Sequence, residues 1–558
     1  MHAVRILTAV SRAVAPSRVL ALTALFPLGA FAAGDELEEI TLPDVQAVSQ
    51  FNWTTSVKQT FMGRTGNRDD ALVSGGSSAA QDDGDRNFSR GLVSVRTDLY
   101  TEFDAIFDGF GIRFSGAGWY DEIYQRTNDN DSPGTSQGAG PTGNEFQDAT
   151  QRLHGNKAEL LDAFVFATGE VGGFEANAKL GQYALVYGES LFFGNNGIAY
   201  GMVPLDIIKA TSLPGVQFRD IALPVRQISG QITLTPSVSL GAYYQVKWKK
   251  TRLPAVGSYF STSDMLDVGG SQLQFIPAIP FLTPGVSADR TADRDPGDSG
   301  QGGAQLRFSL ASIGTDFGLY AIRYHERVPT LILDAPAPTG LPPGFPPYLP
   351  TQYYLYYGKD VNAYGFSFAK AFGNSSWAGE VSVRDGAYLA ADPVPAYAGV
   401  GVPRGTTLHL NLSTLTAFEP NFLVKESTAL AELACNRTQK VTNDQPVAAN
   451  STRSACAARV QYEPKFRQVM SGVDLSIPIS GSYTYGRSSA IPYFGADDSG
   501  DINVSFNFSY LDKWRMGLGY TYFYGEPGTM LDSSGQAFSY KQSLADRDFV
   551  SLSLAVTF

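Results

Sequence analysis

Beyond the amino-terminal leader the chain holds three histidines, His154, His325 and His409. A hydrolase would need one of them as a base, within reach of a nucleophile and of an orienting group. His325 and His409 are the candidate bases. No nucleophile signature accompanies either, so both read as polar residues of a lumen or a loop, and the chain reads as a non-enzyme. No phosphate-binding loop, dinucleotide fingerprint or zinc-ligand spacing occurs, so no cofactor and no metal is expected. Two acidic stretches, Asp82-Asp83-Gly84-Asp85 and Asp293-Arg294-Asp295-Pro296-Gly297-Asp298, carry the oxygen ligands that calcium takes. Their spacing lacks the order of a dedicated calcium loop, which favours solvated loops. Cys435 and Cys456 flank a polar stretch, 436–455. Export through an oxidising compartment makes a disulfide closing that loop the expectation.

The elements that would position these residues are strands. In the last ten residues Val550, Leu552, Leu554, Val556 and Phe558 fall on one face, and Phe549, Ser551, Ser553, Ala555 and Thr557 on the other. Period-two alternation of this length is what a membrane-spanning strand needs. A closing strand with an aromatic terminus resembles the insertion signal of bacterial outer-membrane barrels. Similar segments occur at 51–63, 91–107, 110–124, 157–168, 174–186, 227–234, 238–248, 304–313, 317–326, 361–372, 377–384, 406–417, 422–434, 457–468, 473–485, 502–510 and 514–524. With 549–558 they make about eighteen, and a range of 16–18 covers the uncertain boundaries. Short and long connections alternate, and Trp514, Tyr520, Tyr522 and Tyr524 sit where interfacial aromatics belong. The fold class is therefore all-β: a transmembrane antiparallel β-barrel with short periplasmic turns and long extracellular loops.

Bulk properties agree. Aromatic residues are 12%, glycines number 58 and the mean hydropathy is −0.11, as expected where half of each strand faces a polar lumen. Arg5, Arg12 and Arg18, the apolar run 19–28 and Ala30-Phe31-Ala32 read as a signal peptide, 1–32, cleaved after Ala32. Residues 33–50 then form a periplasmic segment and 51–558 the barrel. Loss of a leader with three arginines and no acid takes the formal charge from −12 to −15. That acidity excludes nucleic acid as a partner.

One face of the strands is charged and forms the expected lumen lining: Arg96, Asp98, Glu102, Asp104, Arg113, Asp121, Glu175, Lys179, Lys247, Arg307, Arg384, Arg459 and Arg467. Residues 187–224 do not alternate. Irregular backbone cannot face lipid, so this insert is expected in the lumen or over its mouth, with a short helix near 204–209. Its Glu189 and Asp206 would gate the lumen or anchor the insert to Arg96, Arg113 or Lys179, and anchoring is favoured because internal polar groups need partners. The proline-rich stretch 329–350 is expected to be extended but not strand interior.

Several stretches resemble the proteobacterial outer-membrane family DUF1302. They are 91–121, Gly181-Gln182-Tyr183 through Gly188-Glu189, Pro204-Leu205-Asp206 through Leu213-Pro214-Gly215, Arg252-Leu253-Pro254-Ala255-Val256-Gly257-Ser258-Tyr259-Phe260, and Leu544-Ala545-Asp546-Arg547-Asp548-Phe549. The resemblance implies an outer-membrane barrel of a Gram-negative cell, set in lipid and lipopolysaccharide and inserted by the outer-membrane assembly machinery. It further implies a periplasmic lipoprotein-like partner and an inner-membrane transporter of lipid or other hydrophobic compounds. The functional expectation is a channel that passes small hydrophobic solutes (lipid, steroid or aromatic) by diffusion through a partly plugged lumen. The alternatives are a barrel hydrolase and a non-conducting docking barrel of a lipid-transfer system.

Overall fold

The structure is a computed structural model that describes residues 50–558 apart from 75–76, 141, 214, 277–284 and 341–346. The expected signal peptide and the segment to residue 49 lie outside the described residues.

Eighteen strands form the wall. They are β1 (Gln50–Arg64), β2 (Gly91–Ile106), β3 (Phe110–Asp121), β4 (Asn156–Val171), β5 (Phe174–Tyr183), β6 (Val225–Thr235), β7 (Val238–Gln245), β8 (Gln301–Leu310) and β9 (Thr315–Tyr324). Then follow β10 (Val361–Phe372), β11 (Ser375–Tyr388), β12 (Arg404–Phe418), β13 (Glu426–Val441), β14 (Ser454–Met470), β15 (Val473–Ser476 and Ile479–Tyr485), β16 (Gly500–Tyr510), β17 (Trp514–Tyr524) and β18 (Phe549–Thr557). Each pairs antiparallel with its sequence neighbours. Pro478 lacks a ladder N–H and lies in the gap that splits β15. Both halves of that strand still pair with β14 and β16. The last strand returns to the first, with Ser56 opposite Thr557 and Arg64 opposite Phe549. Closure leaves no unpaired sheet edge, which is the condition for strands to stand in lipid.

The alternation sorts side chains between outside and inside. On β12, Leu410 and Leu412 are exposed outward while Thr407, His409, Asn411 and Ser413 are buried inward. On β18, Val550, Leu552 and Leu554 face out, and Phe558 lies beside Lys513 in the short β16–β17 side of the barrel. The β2–β3 turn needs Gly109, whose φ of 78° is open to glycine at little cost. Among the described residues no helix is long and apolar enough to cross a membrane.

Three expectations need correction. The proline-rich stretch does contain strands: Thr330–Pro338 pairs with Tyr348–Tyr356 inside a separate five-stranded sheet. That sheet is completed by Gln272–Ile276, Val286–Arg290 and Val394–Pro395. Pro336 faces Pro350, and the parallel neighbours reach only Ile332-Leu333 and Gln352-Tyr353. The prolines thus occupy stretches whose outer sides have no ladder to interrupt. The cysteines form their disulfide, but within paired strands: Cys435 lies directly opposite Cys456, Cα to Cα 4.1 Å. β13 and β14 run past them on the loop side, so the connection itself is shorter than 436–455. Finally, Asp82, Asp83 and Asp85 are 1%, 1% and 2% exposed, not solvated.

Candidate functional site: the lumen insert and the loop mouth

The insert between β5 and β6 lies against the inner wall. It contains the turn Ile198–Gly201 and the helices Ile207–Ser212 and Phe218–Ile221. Two inward carboxylates hold its first half. Glu380 on β11 accepts from the Glu189 N–H at 2.9 Å, the Ser190 hydroxyl at 2.5 Å and the Ile198 N–H at 3.1 Å. Glu432 on β13 accepts from the Phe192 and Phe193 N–H groups at 2.5 and 2.9 Å and from Asn411 at 2.8 Å. Asn196 donates to the Leu410 and Cys435 carbonyls and to the Asn411 side chain. Arg384 donates to the Asn195 and Gly197 carbonyls and stacks over Tyr200 at 4.5 Å. Backbone that lacks its own ladder is satisfied by wall side chains instead. Apolar contact completes the seat: Tyr187, Ile198, Met202, Val203 and Phe218 pack on Tyr243, Tyr320, Tyr324 and Val361.

The two expected anchors are engaged, by partners other than those expected. Glu189 meets Arg307 of β8 at 3.2 Å. Asp206 caps the helix Ile207–Ser212 through the Lys209 N–H and pairs with Arg252 at 2.7 Å, and Arg252 also binds Glu159. Arg96, Arg113 and Lys179 are occupied elsewhere. Arg96 pairs with Asp98 at 2.6 Å and lies over Trp119, and Arg113 pairs with Asp104 at 2.6 Å and Glu102 at 3.5 Å. Lys179 lies over Phe164.

The remaining wall charges are mostly paired as well. Arg459 meets Asp501 at 2.5 Å, and Asp121 accepts from Ser94, Val95 and Ile123. Arg467 pairs with Glu426 and Asp474 near the short β14–β15 turn. Glu175 stands opposite Glu170 at the short-turn end of β5. Lys247 lies past the end of β7 and pairs with Asp298 at the loop rim. This mutual pairing leaves a mixed lining without a strong field of one sign.

The histidines are held by hydrogen bonds. His409 contacts Thr407 at 2.7 Å and Asn196 at 3.2 Å. His325 contacts the Ser299 carbonyl and accepts from the Asp360 N–H. His154 accepts from the Ala255 N–H, and burial with nearby Arg96 and Arg252 pushes its pKa down to about 3. His409 thus meets a hydroxyl, that of Thr407, but its other ring nitrogen meets the Asn196 amide rather than a carboxylate.

The strands β16–β18 have a different lining. The inner faces of β16, β17 and β18 carry Asn503, Ser505, Gly517, Gly519, Ser551 and Ser553. Apart from Gly519, which Ser505 and Ser551 cover, these short side chains stay partly exposed.

Over the ends of β11 and β12 the loops form an open cavity of about 340 Å³. Ile332, Val394, Val400 and Val402 supply its apolar part, and Tyr354, Tyr356 and Tyr388 add rings. Arg294 lies 3.9 Å over Tyr354 and Arg404 lies 4.7 Å over Tyr388. The Arg404 guanidinium donates to backbone carbonyls, of Gly386, Lys359 and Asp360, and neither arginine has a carboxylate partner among the described residues.

Two stretches distant in sequence join in the loops. Arg547 is fully buried, contacts Asp85 at 2.5 Å and donates to the Tyr259 carbonyl. Arg64 contacts Asp85 at 3.2 Å and Asp546 at 2.6 Å. Burial works to raise the Asp85 carboxyl, but Arg547 and Arg64 outweigh it and hold it below the ordinary range. Nearby, burial pushes Asp82 up to about 7 and Asp83 to about 6.

Glu380, Glu432 and Asn196 were missed in the sequence. An available signal for the two glutamates was a charged residue at an inward position of a strand, the criterion that selected Arg384. Asn196 carried none, because it lies in irregular backbone.

A closed barrel with an apolar outer face, a polar inner face and an internal insert defines a membrane-spanning β-barrel of the porin-like type. The chain belongs to the DUF1302 family, described as a protein of unknown function, which matches residues 7–558. No curated protein matches it. Among solved structures it is similar to Acinetobacter baumannii OccAB1, with 11% identity, a TM-score of 0.42 and coverage of 92% of this chain and 97% of that one. It is also similar to a BenF-like porin from Pseudomonas fluorescens Pf-5, with 8% identity, a TM-score of 0.41 and coverage of 92% and 98%.

Proposed function

We propose that this barrel is an outer-membrane channel through which small hydrophobic solutes (lipid, steroid or aromatic) diffuse past a partial plug. The observation that carries the reading is the unequal lining of the lumen. The insert is fastened along β8 and β11–β13, while the middle of β16–β18 presents glycine, serine and asparagine, with the longer Arg515 on the same face only toward the short-turn end. A solute would descend that side, and the paired wall charges would favour neither ion sign strongly. The loop cavity supports a solute with an apolar body and one acidic group: aliphatic and aromatic walls suit the body, and Arg294 and Arg404 offer two guanidiniums to a carboxylate.

Titration calorimetry of the purified barrel with a small aromatic carboxylate tests the solute class. Binding is expected, and the double variant Arg294→Ala/Arg404→Ala should weaken it roughly tenfold or more. Equal affinity for the uncharged amide of the same compound would contradict the assignment.

A further inference from the structure

Next to the Arg547 network lies a second acidic group of different character. One oxygen from each of Asp82, Asp83 and Asp264 falls within 4.8 Å of the others. The three residues are 1%, 1% and 0% exposed. Asp82 Oδ2 accepts from Arg86 at 2.6 Å. Asp83 accepts from the Asn130 amide at 3.1 Å and the Gln137 N–H at 2.8 Å, and Asp264 Oδ2 accepts from the Asp83 N–H at 3.2 Å. Asp82 Oδ1 and Asp264 Oδ1 are sealed from solvent and accept nothing. A buried oxygen of this kind is costly unless a partner fills it.

The charges identify what is missing. In the adjoining network Arg64 and Arg547 are matched by Asp85 and Asp546. Among the described residues the one cation in contact with the three aspartates is Arg86; it also meets Asp131, which Arg68 neutralises. Three carboxylates against one guanidinium leave an excess of two negative charges, the charge that one divalent cation cancels. Oxygen donors alone, with no histidine or cysteine, select a hard ion. A dry pocket suits calcium over magnesium, which keeps several waters.

We propose that Asp82, Asp83 and Asp264 bind one calcium ion, which clasps the β1–β2 loop to the β7–β8 loop. The two loops already touch there: a Cβ on Gly84 would run into the Ser261 carbonyl oxygen. The ion would fix the loop mouth, and the site does not depend on which solute the barrel carries.

The test uses the full folded barrel in detergent, stripped with a chelator and dialysed against radiolabelled calcium at neutral pH. One saturable site is expected at millimolar calcium or below, together with a rise in melting temperature that equal ionic strength of sodium chloride does not give. Asp264→Asn should weaken binding roughly tenfold or more while the barrel keeps its folded, heat-modifiable gel migration. If that variant does not fold, Asp82→Asn is read in the same way. Asp298→Asn, an acid at the loop rim paired with Lys247 and outside this charge network, should bind as the wild type does. Absence of saturable binding at millimolar calcium, or equal binding by Asp264→Asn, overturns the assignment. So does stabilisation by mild acid alone with none by calcium, because protons would then occupy the site.

Discussion

Replacing Glu380 by alanine should release the insert while leaving the wall intact. Glu380 accepts two backbone N–H groups and one hydroxyl from the 189–198 stretch. Hydrogen bonds to a charged acceptor contribute about 1.5–3 kcal/mol each. Water reaching the freed N–H groups returns part of that, so a net loss of about 3 kcal/mol is expected. At 1.4 kcal/mol per tenfold, the population with this stretch detached should rise roughly a hundredfold. Glu432 still holds Phe192 and Phe193, so the double variant Glu380→Ala/Glu432→Ala should detach it further. Single-channel recording in a planar bilayer reads the outcome as larger conductance or added open-channel noise, graded from single to double variant. Hydrogen exchange at the Glu189 and Ile198 amides reads the release directly. Unchanged conductance together with unchanged exchange in the double variant would refute the reasoning that these carboxylates hold a plug.

Arg547→Met removes one member of a fully buried ion network and leaves Asp85 and Asp546 under-compensated, which should cost about 3–5 kcal/mol; denaturant melts that match the wild type would contradict this. Replacing Cys435 and Cys456 together by serine should lower stability by about 3 kcal/mol through the freed unfolded loop, read from thermal unfolding under non-reducing conditions. His154 should make folding acid-sensitive. Its folded pKa of about 3 lies below the ordinary 6.5, so the unfolded chain takes up a proton that the folded one refuses. The stability is fully present above 6.5 and is lost as the pH falls toward 3, and His154→Gln should flatten that part of the pH–stability profile.

The wall was legible because lipid and lumen impose a period of two on every strand. Strands such as β10, β17 and β18 therefore fall where alternation and turn residues place them. The split in β15 was marked by Pro478 but was read through, since both halves keep one alternation. What alternation does not encode is which side chains meet across the lumen. Arg307 rather than Arg96 holds Glu189, because Arg96 and Arg113 have acids beside them on β2. Asp82 and Asp264 are far apart in sequence, so their burial together depends on loop packing that no local pattern records. The strands at 330–338 and 348–356 were hidden by prolines, which are forbidden in a paired interior but permitted where a sheet side has no neighbour.

The central claim is passive passage through the lumen, and the flux of a small aromatic acid into vesicles reconstituted with the wild-type barrel tests it most directly. Equilibration down the concentration gradient, faster than in protein-free vesicles and with no energy source, is the predicted result. Flux equal to that of protein-free vesicles, from barrels verified as folded, would contradict it.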